Sequence, residues 1–249
     1  MKTANRIKTS IVVAGLITGI AIGSAQAQLV IQYSDNFSGD AEDNLHGTTP
    51  DTTTGGATWS AHENWKADGS IADATEGEHN AYLPFSPETG WIYTLTVTLD
   101  KPTKEFAAFG FTEGNAGVTS SGSFFGAGNN ANPWFFYRSS GEINARAFPA
   151  TGGSDDIGGY TGTQTLSIVL DTTETLWSVA WFDGVDSDPV HTWDYTENPT
   201  INWVGMGRQR GAGANLSSFE LSVIPEPSTS ALIGVVALGL VAFRRRLNR

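Results

Sequence analysis

Residues 91–99 alternate between two kinds of side chain, and this alternation constrains the fold more than any other feature of the sequence. Trp91, Tyr93, Leu95, Val97 and Leu99 are aromatic or aliphatic, and the residues between them are Ile92 and three threonines. A period of two is typical of a β-strand with one buried face. The pattern recurs at 166–170, 177–181 and 219–223, and more weakly at 81–85, 105–111, 134–138, 142–148 and 201–207.

The stretches between these segments are rich in Gly, Asn, Ser, Thr and Asp, which are the residues that turns require. Residues 28–223 contain no convincing amphipathic helix. Roughly ten to twelve short strands separated by turns predict an all-β fold, an antiparallel two-sheet β-sandwich of the jelly-roll type. A β-barrel or a small propeller is less favoured, because the sequence has no internal repeat.

The first 27 residues have the pattern of a secretory signal peptide. Three basic residues precede an apolar run from Ile11 to Ile22, and small residues follow, with an A-x-A site at Ala25 and Ala27. This order predicts cleavage before Gln28 and export of the remaining chain. The alternative, an N-terminal membrane anchor, is disfavoured by the short apolar run and the small residues that end it.

Residues 224–249 form a second distinctive terminal segment. Pro225-Glu226-Pro227 precedes an apolar stretch from Ala231 to Phe243, and Arg244, Arg245 and Arg246 follow it. As a helix, residues 229–243 would be shorter than a hydrocarbon core of about 30 Å, but could span a thinned bilayer. The arginines are expected to stay cytoplasmic, which places the body outside that membrane. A buried core helix is the alternative, although three consecutive arginines fit a stop signal better.

This terminal arrangement resembles the PEP-CTERM sorting signal, which combines a Pro-Glu-Pro tripeptide, a short transmembrane helix and a basic end. The resemblance implies that an exosortase, an integral-membrane cysteine peptidase, recognises the segment and processes the chain near the tripeptide. It also implies export through the inner membrane of a Gram-negative bacterium to the cell surface or to an exopolysaccharide biofilm matrix. The tripeptide is then a substrate of another enzyme, and the body is a single domain, 28–223.

Charge and composition exclude several classes of function. The full chain has a formal charge of −12, but 28–223 holds 25 acidic and 7 basic residues, a charge of −18. A nucleic-acid partner is therefore not expected, since phosphate binding needs clustered Lys and Arg. The chain has no Cys, so disulfides, thiolate zinc sites and cysteine nucleophiles are excluded. Neutral glycans and divalent cations are the more plausible partners.

Three blocks of the body, Tyr33–Gly39, Leu83–Glu88 and Phe219–Val223, resemble the concanavalin A-like (laminin G-like) jelly rolls of secreted bacterial proteins. The resemblance covers most of the body, although no single motif in it is diagnostic. It implies a lectin-like or glucanase-like sandwich that often binds glycans and sometimes carries calcium.

Catalytic motifs are missing from the sequence, so we expect a protein that is not an enzyme. The Glu-x-Asp-x-(x)-Glu strand of glucanases with this fold has no counterpart, because the nearest candidate, Glu142, has Asn144 and Arg146 on the same strand face. No G-x-S-x-G elbow is present. The four histidines lack the close spacing that zinc requires, and we expect them in exposed loops. A glycan hydrolase or lyase built from acids on different strands remains a weaker alternative.

Calcium is the one candidate cofactor. Asp183, Asp186 and Asp188 lie within a single acidic segment, and carboxylate oxygens are the ligands that hard cations prefer. A second acidic group lies at 40–44. The competing interpretation is a solvated acidic surface, which is common in a body of this charge.

Aromatic residues in polar stretches are the candidate glycan ligands, because sugar rings stack on flat indole and phenol rings. These candidates are Trp59, Trp65, Trp134, Trp193 and Tyr195. The competing interpretation places them in the core, where the phase of their strands predicts Trp91, Trp177 and Trp181. The sequence thus predicts an exported protein that binds glycan. The alternative is a structural or adhesive matrix protein without a small ligand, which burial of the tryptophans would favour.

Overall fold

Two antiparallel β-sheets make up the part of the chain that the computed structural model describes, residues 28–71, 78–115, 131–147, 154–209 and 214–225. Residues 27–226 form one compact unit. The strands in these ranges are β1 Val30–Asp35, β2 Thr52–Thr53, β3 Ser60–Ala61, β4 Glu78–Pro84, β5 Trp91–Leu99, β6 Phe106–Thr112, β7 Ala131–Arg138, β8 Ile143–Arg146, β9 Ser154–Ile157, β10 Gln164–Asp171, β11 Ser178–Phe182, β12 His191–Asp194, β13 Trp203–Gln209 and β14 Leu216–Pro225.

The strand order confirms the predicted all-β fold with two antiparallel sheets. Sheet 1 runs β12-β11-β10-β5-β14-β1-β2, and sheet 2 runs β3-β4-β13-β6-β7-β8-β9. The strand with the clearest alternation, β5, lies between β10 and β14 near the middle of sheet 1. Its inward residues are buried and its outward residues are half-buried, which is the outcome that a period of two predicts.

The main core lies between the sheets. Leu95, Val97 and Leu166 of sheet 1 and Phe109 and Phe111 of sheet 2 are at most 1% exposed and belong to it. A second apolar cluster lies on the opposite face of sheet 2, where Trp134 stacks on Phe136 with ring centroids 5.4 Å apart. Strand β6 contributes to both clusters, so all seven of its residues are buried.

The terminal segments fall outside the described residues. The signal peptide at 1–27, the residues Glu226 and Pro227, the helix at 229–243 and the arginines 244–246 are therefore predictions from sequence alone. Within the residues that are described, no helix is long and apolar enough to cross a membrane. Pro225, the first residue of the tripeptide, is the last residue of β14 and pairs with Trp91.

Candidate functional site

Three of the candidate glycan-stacking residues are buried, which is the outcome of the competing interpretation that placed them in the core. Trp59, Trp65 and Trp134 are at most 1% exposed. Trp59 packs between Phe37 and Phe219, and its Nε1 donates a 2.7 Å hydrogen bond to Asp35. The indole N–H groups of buried tryptophans need such partners, and these partners hold the rings inside. A sugar cannot stack on them in this arrangement.

Trp65 and Trp134 are held by different contacts. The Nε1 of Trp65 donates to the carbonyl of His79 at 3.1 Å. Trp134 stacks on Phe136, and its carbonyl accepts a 2.7 Å hydrogen bond from the Nε1 of Trp181, a residue of sheet 1. Trp181 is fully buried, as predicted, whereas Trp91 and Trp177 are half-buried and pack against the main core.

The last two aromatic candidates differ from each other. Tyr195 is 4% exposed, so its ring also belongs to the core. Its hydroxyl has no hydrogen-bond partner among the described residues, and burial raises the pKa of this phenol far above its ordinary value. Trp193 lies on β12 opposite Val179 and is half-buried against the core. Among the five candidates, Trp193 alone keeps part of its ring accessible.

The predicted calcium ligands do not come together. Asp183 is 8% exposed, and its carboxylate accepts hydrogen bonds from the Tyr160 hydroxyl and from the Val185 N–H. These donors hold the pKa of Asp183 below its ordinary value despite burial. Burial raises the pKa of the Tyr160 phenol, and the hydrogen bond to Asp183 and the charge of that carboxylate raise it further. Asp186 and Asp188 are exposed. Across the described ranges, no group of three or more His, Asp or Glu side chains could hold a metal ion.

Two histidines are buried instead of lying in exposed loops. His62 and His79 are 8% and 3% exposed, and their ring centroids are 4.1 Å apart. The Nε2 of His79 lies 3.5 Å from the Asn64 amide nitrogen, and its Nδ1 has no hydrogen-bond partner. Burial, together with the charges of His62 and Arg208, lowers the pKa of His79 to about 4. This pair is a feature of the core and does not form a metal site with the other described residues.

A pocket on the outer face of sheet 1 is lined by residues other than the predicted ones. We call it the outer-face pocket. Its volume is about 410 Å³, within the range of about 300–1,000 Å³ that small-molecule sites occupy. Its lining contains hydroxyl groups, carboxylates, one amide and one aromatic residue: Ser34, Thr96, Thr98, Thr165, Ser218, Asp35, Asp51, Glu220, Asn36 and Phe219.

Strand register sets the spacing of these polar groups. Ser34 pairs with Glu220, Glu220 with Thr96, and Thr96 with Ser167, so four neighbouring strands contribute one row. Thr98 pairs with Thr165 in the next row. Because neighbouring strands lie about 4.8 Å apart, the first row extends over about 14 Å. The hydroxyls of Thr96 and Ser167 are 2.9 Å apart, and those of Thr98 and Thr165 are also 2.9 Å apart.

Two carboxylates at one side of the pocket are held by the chain around them. Asp35 accepts hydrogen bonds from the Phe37 N–H at 2.8 Å and from the Trp59 Nε1 at 2.7 Å, so both of its oxygens are engaged. Asp51 accepts from the Asn36 N–H at 3.0 Å. Burial raises the pKa of Asp35 above its ordinary value. The two hydrogen bonds lower this pKa, and the charge of Asp51 raises it. Glu220, which pairs with Ser34, is half-buried.

No motif in the sequence indicates this pocket, although one signal of it is visible. The outward positions of β5 include Thr94, Thr96 and Thr98, and those of β10 include Thr165 and Ser167. The signal is that the solvent-facing side of these two strands repeats hydroxyl residues and not charged ones. The pairing of β5 with β14 and of β14 with β1 cannot be derived from it, and that pairing brings Glu220 and Asp35 into the pocket.

The C-terminal residues match a known sorting signal. Residues 223–246 match the family model described as the PEP-CTERM protein-sorting motif. The chain carries a PEP-CTERM sorting motif. The motif implies processing by an exosortase and export to the cell surface, as the tripeptide and the arginines predicted. Its first three residues belong to β14, so the motif begins inside sheet 1. The match covers the end of the chain and assigns no family to the body.

Comparisons of the whole chain return weak similarities. Solved structures that are similar to it include the endo-1,3-beta-glucanase from Streptomyces sioyaensis, at 12% identity, with 79% of this chain and 97% of that chain covered and a TM-score of 0.46. The metal-free VIP36 exoplasmic/lumenal domain is 11% identical, with 80% of this chain and 98% of that chain covered and a TM-score of 0.46. The Emp47p carbohydrate recognition domain is 12% identical, with 80% of this chain and 97% of that chain covered and a TM-score of 0.46. No curated protein matches the sequence.

Proposed function

We propose that this chain is an exported protein of a Gram-negative cell surface or exopolysaccharide matrix, and that its β-sandwich binds a neutral glycan at the outer-face pocket. The export part is supported by the sorting motif at 223–246 and by the predicted signal peptide at 1–27. The glycan part is supported by one observation, the rows of hydroxyl and carboxylate groups that neighbouring strands bring into one pocket.

The chemistry of the pocket matches that of a sugar. Thr96, Thr98 and Ser218 can each donate and accept a hydrogen bond, as sugar hydroxyls do, and the carboxylate of Glu220 can accept two from a vicinal diol. Each such bond contributes about 0.5–1.5 kcal/mol net. A row extending over about 14 Å suits an extended polymer better than a single ring. Since no Lys or Arg is among the described residues that line the pocket, anionic glycans are disfavoured.

Binding without hydrolysis is the proposed role of the acids. Glycoside hydrolysis needs two carboxyl groups that flank the bond, one of which donates a proton to the leaving oxygen. Asp35 has the raised pKa that a general acid needs. However, its two oxygens accept hydrogen bonds from Phe37 and Trp59, so the carboxyl group serves the fold. Release of reducing ends from any bound glycan would contradict this part of the proposal.

A structural or adhesive role without a small ligand is the second candidate. The burial of Trp59, Trp65, Trp134 and Tyr195 favours it, because the rings that would stack on a sugar belong to the core. The two candidates differ in what the outer-face pocket does, and this makes them separable by experiment.

Glycan binding is tested with the full-length protein in detergent on an array of neutral, anionic and amino-sugar glycans, with and without calcium. We expect neutral glycans to bind, and Glu220→Gln or Thr98→Val to weaken binding about tenfold. Thr192→Val is the matched control, because this exposed threonine lies on β12 at the edge of the same sheet, away from the pocket. No binding to any glycan, or equal loss in the control variant, would support the structural role instead.

Sorting is tested by replacing Pro225, Glu226 and Pro227 with alanine in the producing bacterium. We expect full-length protein to accumulate in the membrane, since the peptidase loses its recognition sequence. Normal release of the processed protein would show that the tripeptide does not direct processing.

A further inference from the structure

Exposed apolar side chains gather at one end of sheet 1. Leu29, Val30, Ile31 and Ile224 are 52%, 48%, 41% and 37% exposed. They make up most of the exposed large hydrophobic residues in the described ranges. We call these four residues the apolar end patch. Scattered exposed hydrophobic residues are normal on a soluble protein, whereas a contiguous group of them marks an interaction site.

The pairing of β1 with β14 brings the patch together from the two ends of the chain. Val30 pairs with Val223 and Ile31 with Ser222, while Ile224 pairs with Ile92 of β5 on the other side. The start of the first strand and the end of the last strand therefore lie side by side. Half-buried Trp91 pairs with Pro225 at the same end. An indole is a side chain that favours the boundary between lipid and water.

Both predicted membrane segments connect to this end. The predicted helix begins at residue 229, four residues after Pro225, and an extended chain covers at most about 3.6 Å per residue. The end of β14 thus lies within about 14 Å of the membrane segment along the chain. Before the signal peptide is removed, Leu29 is only two residues away from its last residue.

We propose that the apolar end patch lies in the lipid headgroup region of the bilayer while the C-terminal helix is in the membrane. This inference rests on the insertion of that helix. The occupant is a lipid surface and not a second protein, because the four side chains flank the points where the chain enters the membrane. Glu88 and Glu174 are exposed in loops at the same end, so the patch suits zwitterionic lipids better than anionic ones.

Two consequences follow from this placement. The bonds around Pro225–Pro227 are held at the membrane surface, where an integral-membrane peptidase can reach them. The outer-face pocket lies away from the patch, because Thr98 lies six residues along β5 from Ile92, a distance of about 20 Å. The glycan site would therefore stay open to the exterior before and after processing.

The absence of cysteine from the chain allows a direct test with a single introduced thiol. Ile31→Cys in the full-length protein is labelled with a fluorophore and reconstituted into phosphatidylcholine vesicles, with or without brominated acyl chains. Val185→Cys is the matched control. Val185 is 71% exposed, and its neighbour Gly184 approaches Thr165 at the opposite end of β10. We expect bromine to quench the Ile31 label at least twofold more than the Val185 label.

Flotation of the same vesicles separates the two possible failures. If the protein floats with the vesicles and both labels are quenched equally, the helix is inserted and the patch does not contact lipid. If the protein does not float, the prediction that residues 229–243 insert into the membrane is wrong, and the inference fails with it. A third outcome is that shielding of the Ile31 label depends on the protein-to-lipid ratio and not on bromine. This result would assign the patch to a second copy of the chain and overturn the proposal.

Discussion

Acidification should destabilise the body through His79. This side chain is 3% exposed, its ring lies 4.1 Å from that of His62, and Arg208 faces it across the β4–β13 pair. The folded protein therefore disfavours the charged imidazolium, mainly because of burial and further because of the two neighbouring cationic groups. In the unfolded chain the same side chain is solvated and takes up a proton at its ordinary pKa.

The size of the effect follows from the two pKa values. The pKa of His79 is about 4 in the folded state and 6.5 in the reference state, and each pH unit between them is worth about 1.4 kcal/mol. Between these values the unfolded state binds more protons, so the free energy of unfolding falls as the pH falls. The loss should begin near pH 6.5, reach about 3 kcal/mol near pH 4 and grow no further below that value.

Urea unfolding of the body, followed by tryptophan fluorescence at several pH values between 7 and 4, measures this loss. Other groups titrate in the same range, so the informative quantity is the difference between wild type and His79→Gln. We expect wild type to lose about 3 kcal/mol more than the variant. His62→Gln removes one of the causes and should reduce the loss without abolishing it. Parallel curves for wild type and His79→Gln would refute the argument.

Three further changes test the packing. Trp59→Phe should lower the free energy of unfolding by about 2 kcal/mol, because Asp35 loses a charged hydrogen bond; an unchanged urea midpoint would contradict this. Tyr195→Phe removes a buried hydroxyl that has no partner and should raise stability by about 1 kcal/mol, which a lower Tm would disprove. Gly69→Ala should cost more than about 2 kcal/mol, since its Cβ would lie 2.1 Å from the Leu216 carbonyl oxygen at a φ of 74°. Gly47→Ala is its control, because Gly47 has a φ of 83° and nothing within 4 Å, and an equal Tm loss in both would point to φ alone.

The strands could be predicted where one face is buried and the other is not. Strand β5 is such a case, and the weaker segments at 81–85, 105–111 and 201–207 overlap β4, β6 and β13. Strands β1, β2, β3, β9 and β12 were missed, and all of these except β1 have only two to four residues. A strand of four residues with few apolar side chains shows no period of two in the sequence. Only its pairing with a longer neighbouring strand shows that it is a strand. Strand β6 shows the opposite difficulty, because burial of both faces removes the alternation.

The candidate site was predicted less well than the fold. Trp59 lies in a polar stretch, and nothing local to that stretch indicates that its ring reaches Asp35, Phe37 and Phe219. The three aspartates of the acidic segment are close in sequence, but one is held by Tyr160 while the others face solvent. Burial of a side chain depends on partners far away in the chain, and a single sequence does not list those partners.

The sequence by itself determined the sorting signal, the negative charge of the body and the period-two strands. A sorting signal is read by another protein as a short linear segment, and an alternating strand shows which of its faces is buried, so neither depends on distant residues. Tertiary structure alone decided which aromatic rings are buried. It also decided that residues between 34 and 220 share one pocket, and that the two ends of the chain meet at the apolar end patch. These arrangements follow from the pairing of β1 with β14 and of β14 with β5, which joins residues more than a hundred positions apart.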